Sequence, residues 1–529
     1  MSLGRSPTHE DAFRSSTVFC GARMSPTSIH AWLHREAHRL FADDAFADLF
    51  EESGRASVPP RIVAVVMVLQ RLEGLSDREA VERFTFDLRW KYAAGGLDYD
   101  HPGFVHTVLV DMRARLRRSA RPNRIFEAAL DLARAAGLVG RQRVLDSTPL
   151  YDAVATQDTV TLVRSAIRAL FRIVDAALGA ELRGVCQRDD DYVAPGKPAC
   201  DWDDAPAREA LIDALARDGF AILAALDGRV CAGEVRDAAQ LLATVLGQDL
   251  EQTRDGVFRI ARRVAPDRVI STVDPETRHG HKTAARGFDG YKGHVAVDPD
   301  SEIITATDVT PGNASDGSVA ETLLADVLTP AAPAEAEAGT PAERVAVYGD
   351  ASYGTADIVE TIEAAGAEAH VKVQAPSALR GHFGKDAFAI DLDAGTVRCP
   401  AGSLVPIRTS ADGGGVAAFG AACAGCPLRS RCTAAKDGRA IRIHPKEATL
   451  QRSRARQGAA TWKAHYRATR PKVERKLAQL VFRKHGGRRA RMRGCERNRH
   501  DFALLGAAHN LKRLARLGIR HHDGTGIRA

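Results

Sequence analysis

Three carboxylates carry the pattern from which chemistry can be argued. Asp146 closes the segment Arg143-Val144-Leu145-Asp146-Ser147-Thr148, which reads as a short apolar strand ending in polar residues. Open sheets place their functional groups at the carboxyl ends of strands. Taken alone, such an aspartate reads better as a turn or capping residue. Asp350 repeats the arrangement: Val345-Ala346-Val347-Tyr348-Gly349 runs apolar, and Asp350-Ala351-Ser352-Tyr353-Gly354 turns the chain into a helix. Its plain alternative is an N-cap. Glu474 belongs to a predicted helix whose first turn suits Pro471. Val473, Leu477, Leu480 and Val481 form one apolar stripe, and at about 100° per residue Glu474 flanks it. The bland reading is a surface pair with Arg470, four residues earlier, worth a few tenths of a kcal/mol. Together, two strand-end aspartates and one helix glutamate could form an all-oxygen site. Mg²⁺ suits such a site, because it binds through few protein carboxylates and keeps waters and phosphate oxygens as its other ligands. Two such ions about 4 Å apart can clamp the attacking and leaving oxygens of an in-line phosphoryl displacement.

The cysteines raise a separate question. Cys423-x2-Cys426 is followed by Cys432, and Cys399 stands alone upstream. Four thiolates could hold one structural Zn²⁺ tetrahedrally, against the alternative of unliganded thiols. Cys20, Cys186, Cys200, Cys231 and Cys495 show no ligand spacing, and nine cysteines in 529 residues do not suggest a disulfide scaffold.

The elements that must position these residues follow from periodicity. Residues 1–24 have no clear period and are expected to be disordered. Residues 25–140 read as helical, a candidate DNA-binding domain. In it, Ile62, Val65, Val66, Leu69 and Leu72 share a helical face, Gly74-Leu75-Ser76 makes a turn, and Ser76 with Glu79 has capping-box spacing. The pair is either a helix-turn-helix or an ordinary helical hairpin. Residues 141–374 read as the first part of an α/β core, with strands at Arg268–Val273, Gly293–Val297, Ile303–Val309, Glu343–Gly349 and Ala369–Val373, a helix at Thr355–Ala365, and a helical insertion at about 158–260. Residues 375–445 turn Gly- and Cys-rich, a Cys-containing insertion. Residues 446–518 read as late helices bearing Glu474, and 519–529 as a tail. The stretch 329–343, rich in Pro, Ala and Glu, reads as a surface linker.

Composition narrows the partners. A formal charge of +7 favours a polyanion only modestly, but Pro471 to Arg499 is dense in Arg and Lys, and Lys512, Arg513 and Arg516 follow. Such residues could track a phosphate backbone. The first residues lack the apolar stretch of a secretory signal, and the run Ile62–Leu69 is too short to span a bilayer. The expectation is a soluble, cytoplasmic protein with no membrane partner.

The segments VLDSTPLYDAVATQDTVTLVRSAIR, DGYKGHVAVD, TPGNASDG, VYGDASYG and RPKVERKLAQLVFRKHGGRRARMRGCERNRHDFALLGAAHNLKRL occur in that order. In this they resemble DDE transposases, most of all the IS1182 family within the IS4/IS5-like group, over roughly residues 28–518. The resemblance implies an RNase H-like catalytic core with an N-terminal helical domain. It implies Asp146, Asp350 and Glu474 as catalytic ligands of Mg²⁺ or Mn²⁺. It also implies cleavage of transposon ends and strand transfer into target DNA, by a homodimer or higher assembly on double-stranded DNA. Tyr466, Arg470 and Glu474 resemble the tyrosine-arginine-glutamate part of a signature that helps hold transposon-end phosphates. The sequence departs from that signature: the lysine expected seven residues after the glutamate is Val481, and Tyr466 sits one residue too far from Arg470. Arg483 and Lys484 are the nearest basic candidates. Lys292, in Tyr291-Lys292-Gly293-His294, is a further candidate phosphate contact, with a hairpin lysine as the alternative. Two rival functions stay open: a catalytically degenerate DNA-binding protein, and a nuclease of the same fold that does not join strands.

Overall fold

The computed structural model describes the chain except residues 6–12, 14, 153, 195, 284, 330–344, 377–380, 483–484, 523–524 and 529. At its centre is a mixed sheet of β1 (Gln142–Tyr151), β2 (Arg278–Thr283), β3 (Arg286–Val297), β4 (Ile304–Pro311), β5 (Ala346–Gly349) and β6 (Glu368–Val371). The order is β4-β3-β1-β5-β6. Strand β3 is antiparallel to β1 and β4, whereas β5 is parallel to β1 and β6. Strand β2 pairs with the first part of β3, ahead of β4 on the same edge.

Helices cover both faces. Those that matter here are α1 (Pro60–Glu73), α2 (Asp77–Phe86), α3 (Ala320–Leu328), α4 (Ala356–Ala364), α5 (Ala460–Leu480) and α6 (Cys495–Arg516). Side chains alternate across a strand, and β1 shows what this decides. Val144 packs with Val295, Val297 and Tyr348 against α5, α6 and the N-terminal helices. Leu145 packs with Ala296 and Val347 on the other face, against Leu323 and Leu324 of α3 and Val359 and Ile362 of α4. By the same alternation Asp146 faces α5 and Ser147 faces α3.

The first of these cores runs from Trp32 to Ile519 and joins the N-terminal helices to the sheet. Helix α1 is buried almost all round, starts with Pro60 and ends where Gly74 takes a left-handed conformation (φ 69°). Ser76 and Glu79 form the predicted capping box before α2, with the Ser76 amide donating to Glu79 at 2.7 Å. The first member of this pair is part of the central core, an arrangement that a helical hairpin and a helix-turn-helix both allow. Ser16–Gly21, where the sequence shows no period, is a short helix whose Cys20 packs with Ala31 and Tyr92.

The helical insertion leaves after β1 and closes its own core, with Leu162, Ile167 and Leu170 against Leu215, Leu242 and Leu246. The strand expected at Arg268–Val273 is not formed. Its backbone bonds to side chains instead: Gln248 brackets Val269, accepting from its amide at 2.8 Å and donating to its carbonyl at 2.9 Å, and Gln157 accepts from the Thr272 amide at 2.9 Å. Backbone groups satisfied in this way need no neighbouring strand. The Cys-containing region forms two small three-stranded sheets, Ala389–Asp391 with Thr396–Arg398 and Leu404–Pro406, and Arg408–Thr409 with Gly415–Ala418 and Ala440–Ile443. The predicted linker falls almost wholly outside the described residues. Among the described residues no helix is long and apolar enough to cross a membrane.

Candidate active site

Strand β1 does not end at the first aspartate. It continues to Tyr151, and Asp146 sits mid-strand opposite Val295 of β3. On its other edge β1 pairs with β5 only through Gln142↔Ala346, Arg143↔Val347 and Val144↔Tyr348. Extending that register by two residues sets Asp146 beside Asp350, the first residue past the end of β5. The carboxyl-end position predicted for Asp146 is thus created by its shorter neighbour. The chain then turns so tightly that a Cβ on Gly354 would lie 2.1 Å from the Lys372 carbonyl oxygen.

The third carboxylate comes from α5, which lies across β1 and β5. This helix begins eleven residues before Pro471, which is an interior proline and not the first-turn residue expected from sequence. The predicted stripe is buried: Val473, Leu477, Leu480 and Val481 are in the core. The burial of Val481 explains the departure from the signature, because that position points into the protein, where a lysine charge would be desolvated.

Arg470 joins the three acids. Its guanidinium lies 3.0 Å from Asp146 Oδ1, 3.8 Å from Asp350 Oδ2 and 3.5 Å from Glu474 Oε1. The arginine side chain is 8% exposed and Asp146 14%, while Asp350 at 41% and Glu474 at 62% open to solvent. The Arg470–Glu474 pair foreseen as a surface contact exists, but it is one arm of a three-carboxylate cluster. Burial pushes the Asp146 carboxyl up to about 6. Arg470 and the Ser147 amide, which donates to Oδ1 at 2.9 Å, pull the other way, and Asp350 adds to the rise. For Arg470, burial works against the charge, yet Asp146 and Asp350 outweigh it and hold its pKa above the usual value.

A second set of residues holds the sheet edge in place. Ser147 donates through Oγ to Asp316 Oδ2 at 2.6 Å, and Lys292 Nζ reaches Asp316 Oδ1 and the Ala314 carbonyl, each at 2.8 Å. Lys292, proposed from sequence as a phosphate contact, is largely enclosed in this ion pair. Tyr466 donates to the Gly349 carbonyl at 3.2 Å and stacks on Trp462, so it braces the end of β5 that delivers Asp350. His294 and Tyr353 are fully buried behind the site, 3.3 Å apart, with Thr310 Oγ1 2.9 Å from His294 Nε2. Sequence reasoning missed Asp316, His294 and Tyr353 as individual residues, although TPGNASDG, DGYKGHVAVD and VYGDASYG contain them.

Of the remaining predicted residues, Arg483 and Lys484 lie outside the described residues. Cys399, Cys423, Cys426 and Cys432 line one small cavity, remote in sequence from both aspartates. Among the described residues, no group of three or more His, Cys, Asp or Glu side chains is arranged, as it stands, to hold a metal ion. Beside the C-terminal half of α5, Lys476, Lys512, Arg513 and Arg516 line a cleft of about 450 Å³ together with Glu302, His485 and His509. Parts of the arginine-rich run are structural: Arg491 donates to the Leu75 carbonyl at 2.8 Å, and the Arg488 carbonyl accepts from the Tyr151 amide at 2.7 Å.

Two family models match the chain. Residues 398–515 match one described as a Transposase DDE domain, and residues 30–115 match one described as a Transposase domain (DUF772). The first match takes in Arg470, Glu474 and the four clustered cysteines, whereas Asp146 and Asp350 fall between the two. No curated protein and no solved structure matches the chain. The chain therefore carries a DDE-type transposase domain in its C-terminal part and a second transposase domain among its N-terminal helices, in keeping with its resemblance to IS1182-like transposases.

Proposed function

We propose that the protein is the transposase of an insertion sequence, which cleaves DNA at the element's terminal inverted repeats and joins the freed ends to target DNA. The observation that carries this reading is the convergence of Asp146, Asp350 and Glu474, from three separate elements, on one guanidinium. Three carboxylates with two open to solvent are a donor set suited to Mg²⁺ or Mn²⁺, which take oxygen ligands and leave room for phosphate. The strand order, an antiparallel trio extended by two parallel strands, supports an RNase H-like core. When bound, the divalent ions would lower the pKa of the attacking hydroxyl and stabilise the leaving oxygen.

The chain's own residues supply position and charge. Arg470 keeps mutually repelling carboxylates together, Tyr466 fixes the strand end before Asp350, and the Ser147–Asp316–Lys292 chain anchors the opposite face of β1. The basic cleft beside α5 supports a polyanionic partner, double-stranded DNA. Acting on two ends at once calls for a homodimer or a higher assembly on DNA. The test is incubation with the element's end DNA, Mg²⁺ and a plasmid target, comparing wild type with Asp350→Ala. Joined products from wild type alone support the proposal. Cut ends without joining favour the nuclease reading, and binding without metal-dependent cutting favours a degenerate, DNA-binding protein.

A further inference from the structure

We propose that Cys399, Cys423, Cys426 and Cys432 close on one structural zinc ion that holds the Cys-containing region together. The proposal does not depend on the catalytic reading above.

The Cys-containing region has a small core. The region's two sheets are built from strands of two to four residues. Under them, among the described residues, only Phe388, Val397, Ala417, Phe419, Cys423, Cys432, Ile441 and Ile443 form a buried cluster, and two of these eight are cysteines. A unit of this size buries too little apolar surface to be secured by packing alone, and comparable natural units use a metal or disulfides as staples. No disulfide is present, since every cysteine is a free thiol.

The four thiols arrive from three segments: the turn after Thr396–Arg398, the Gly420–Cys423 turn with Cys426, and the short Arg429–Cys432 helix. They nonetheless line the same cavity, walled by Phe383, Phe388 and Phe419. None of the other five cysteines lies there. The Arg439 amide points at Cys423 Sγ from 3.5 Å, the kind of backbone donor that stabilises a thiolate. Two arginines fix the backbone that carries the sulfurs: Arg429 donates to the Cys423 carbonyl at 3.0 Å, and Arg439 donates to the Cys432 carbonyl at 3.4 Å. Cysteines that only filled the core would behave as small hydrophobes, with no reason to gather at one cavity beside fixed donors. Binding draws the four sulfurs inward, and their protons pass to solvent as four Zn–S bonds form.

The experiment uses the full chain purified without chelator. Metal analysis is expected to find about one zinc per chain. Stepwise addition of a mercurial thiol reagent, followed with a zinc-binding dye, should release that zinc as about four thiols react. This measurement needs no variant, so it stands even if substitutions prevent folding. Cobalt in place of zinc should give a thiolate-to-cobalt charge-transfer band. Cys426→Ser should weaken that band, whereas Cys231→Ser should leave it intact. Protein that folds without zinc and whose four thiols react independently would overturn the proposal. So would zinc released by Cys231 or Cys495 modification alone.

Discussion

Arg470 Nη2 stands 3.0 Å from Asp146 Oδ1, with the arginine buried and the aspartate mostly so. The pair is the inner end of a cluster whose outer carboxylates, Asp350 and Glu474, face solvent. An arginine placed there does two opposed things. It offsets the repulsion that would otherwise scatter the acids, and it holds the positive position that a divalent ion would share.

This tension predicts how Arg470→Ala behaves. Breaking a buried ion pair strands its partner's charge, and the expected loss of stability is roughly 3 kcal/mol by urea unfolding at neutral pH. Added Mg²⁺ should then raise the melting temperature of the variant by more than that of wild type, because the ion takes over the arginine's compensating role. Equal Mg²⁺ responses in the two proteins would mean that Arg470 and the ion do not share the carboxylates.

The Lys292–Asp316 contact separates an internal ion pair from a phosphate contact. Lys292→Ala should lower stability, because buried Asp316 loses its cation and keeps only the Ser147 hydroxyl. It should leave the salt dependence of DNA binding unchanged. Arg516→Ala, on the basic cleft, should do the reverse: little change in stability, but a log–log salt slope shallower by about one. A shallower slope for Lys292→Ala would return that lysine to the DNA interface.

Gly354 is a steric requirement of the turn after Asp350. A methyl there would overlap the Lys372 carbonyl oxygen, 2.1 Å from the Cβ position, and the oxygen belongs to backbone that cannot rotate aside. Gly354→Ala is expected to destabilise the fold by about 2 kcal/mol or more and to reduce end cleavage by moving Asp350. Wild-type melting and wild-type cleavage would show that the turn tolerates a side chain.

How much of this was legible beforehand differs by residue. The three acids were readable because each sits beside an apolar element of recognisable period, and resemblance placed them in order. The role of Arg470 was not, because i,i+4 spacing says only that it can reach Glu474; its contacts with Asp146 and Asp350 depend on how α5 crosses the sheet. Lys292 misled for the same reason, since its partner Asp316 is brought alongside only by the β3–β4 pairing. Asp146 was placed at a strand end because polarity after Leu145 looks like termination. In fact β1 runs on under a polar stretch, paired to β3 through Thr148 and beyond. The false strand at Arg268–Val273 has suitable residues, but side-chain amides satisfy its backbone first.

His294 gives a pH prediction. Burial pushes its imidazole down to about 4, against which Asp316 and Asp308 act only in part. The unfolded chain binds that proton near pH 6.5, so between 6.5 and 4 the unfolded state holds more protons than the folded one. The stability this neutral histidine permits is complete above pH 6.5 and is lost as pH falls toward 4, by roughly 3 kcal/mol in total. Urea unfolding from pH 8 to 4 should show a steeper acid decline for wild type than for His294→Gln. Parallel declines would mean that the ring is protonated in the folded protein.

One contact has consequences for how the molecule is made. The indole of Trp32 donates to the Ile519 carbonyl at 2.6 Å, across 487 residues, within the core that also holds α1 and α6. A ribosome delivers Trp32 early and Ile519 late. During synthesis the N-terminal helices can pack with one another, but the part of their apolar surface that meets α6 is covered only when α6 emerges. A message cut short before α6 therefore leaves the apolar surface that meets α6 without the cover it has in the complete chain.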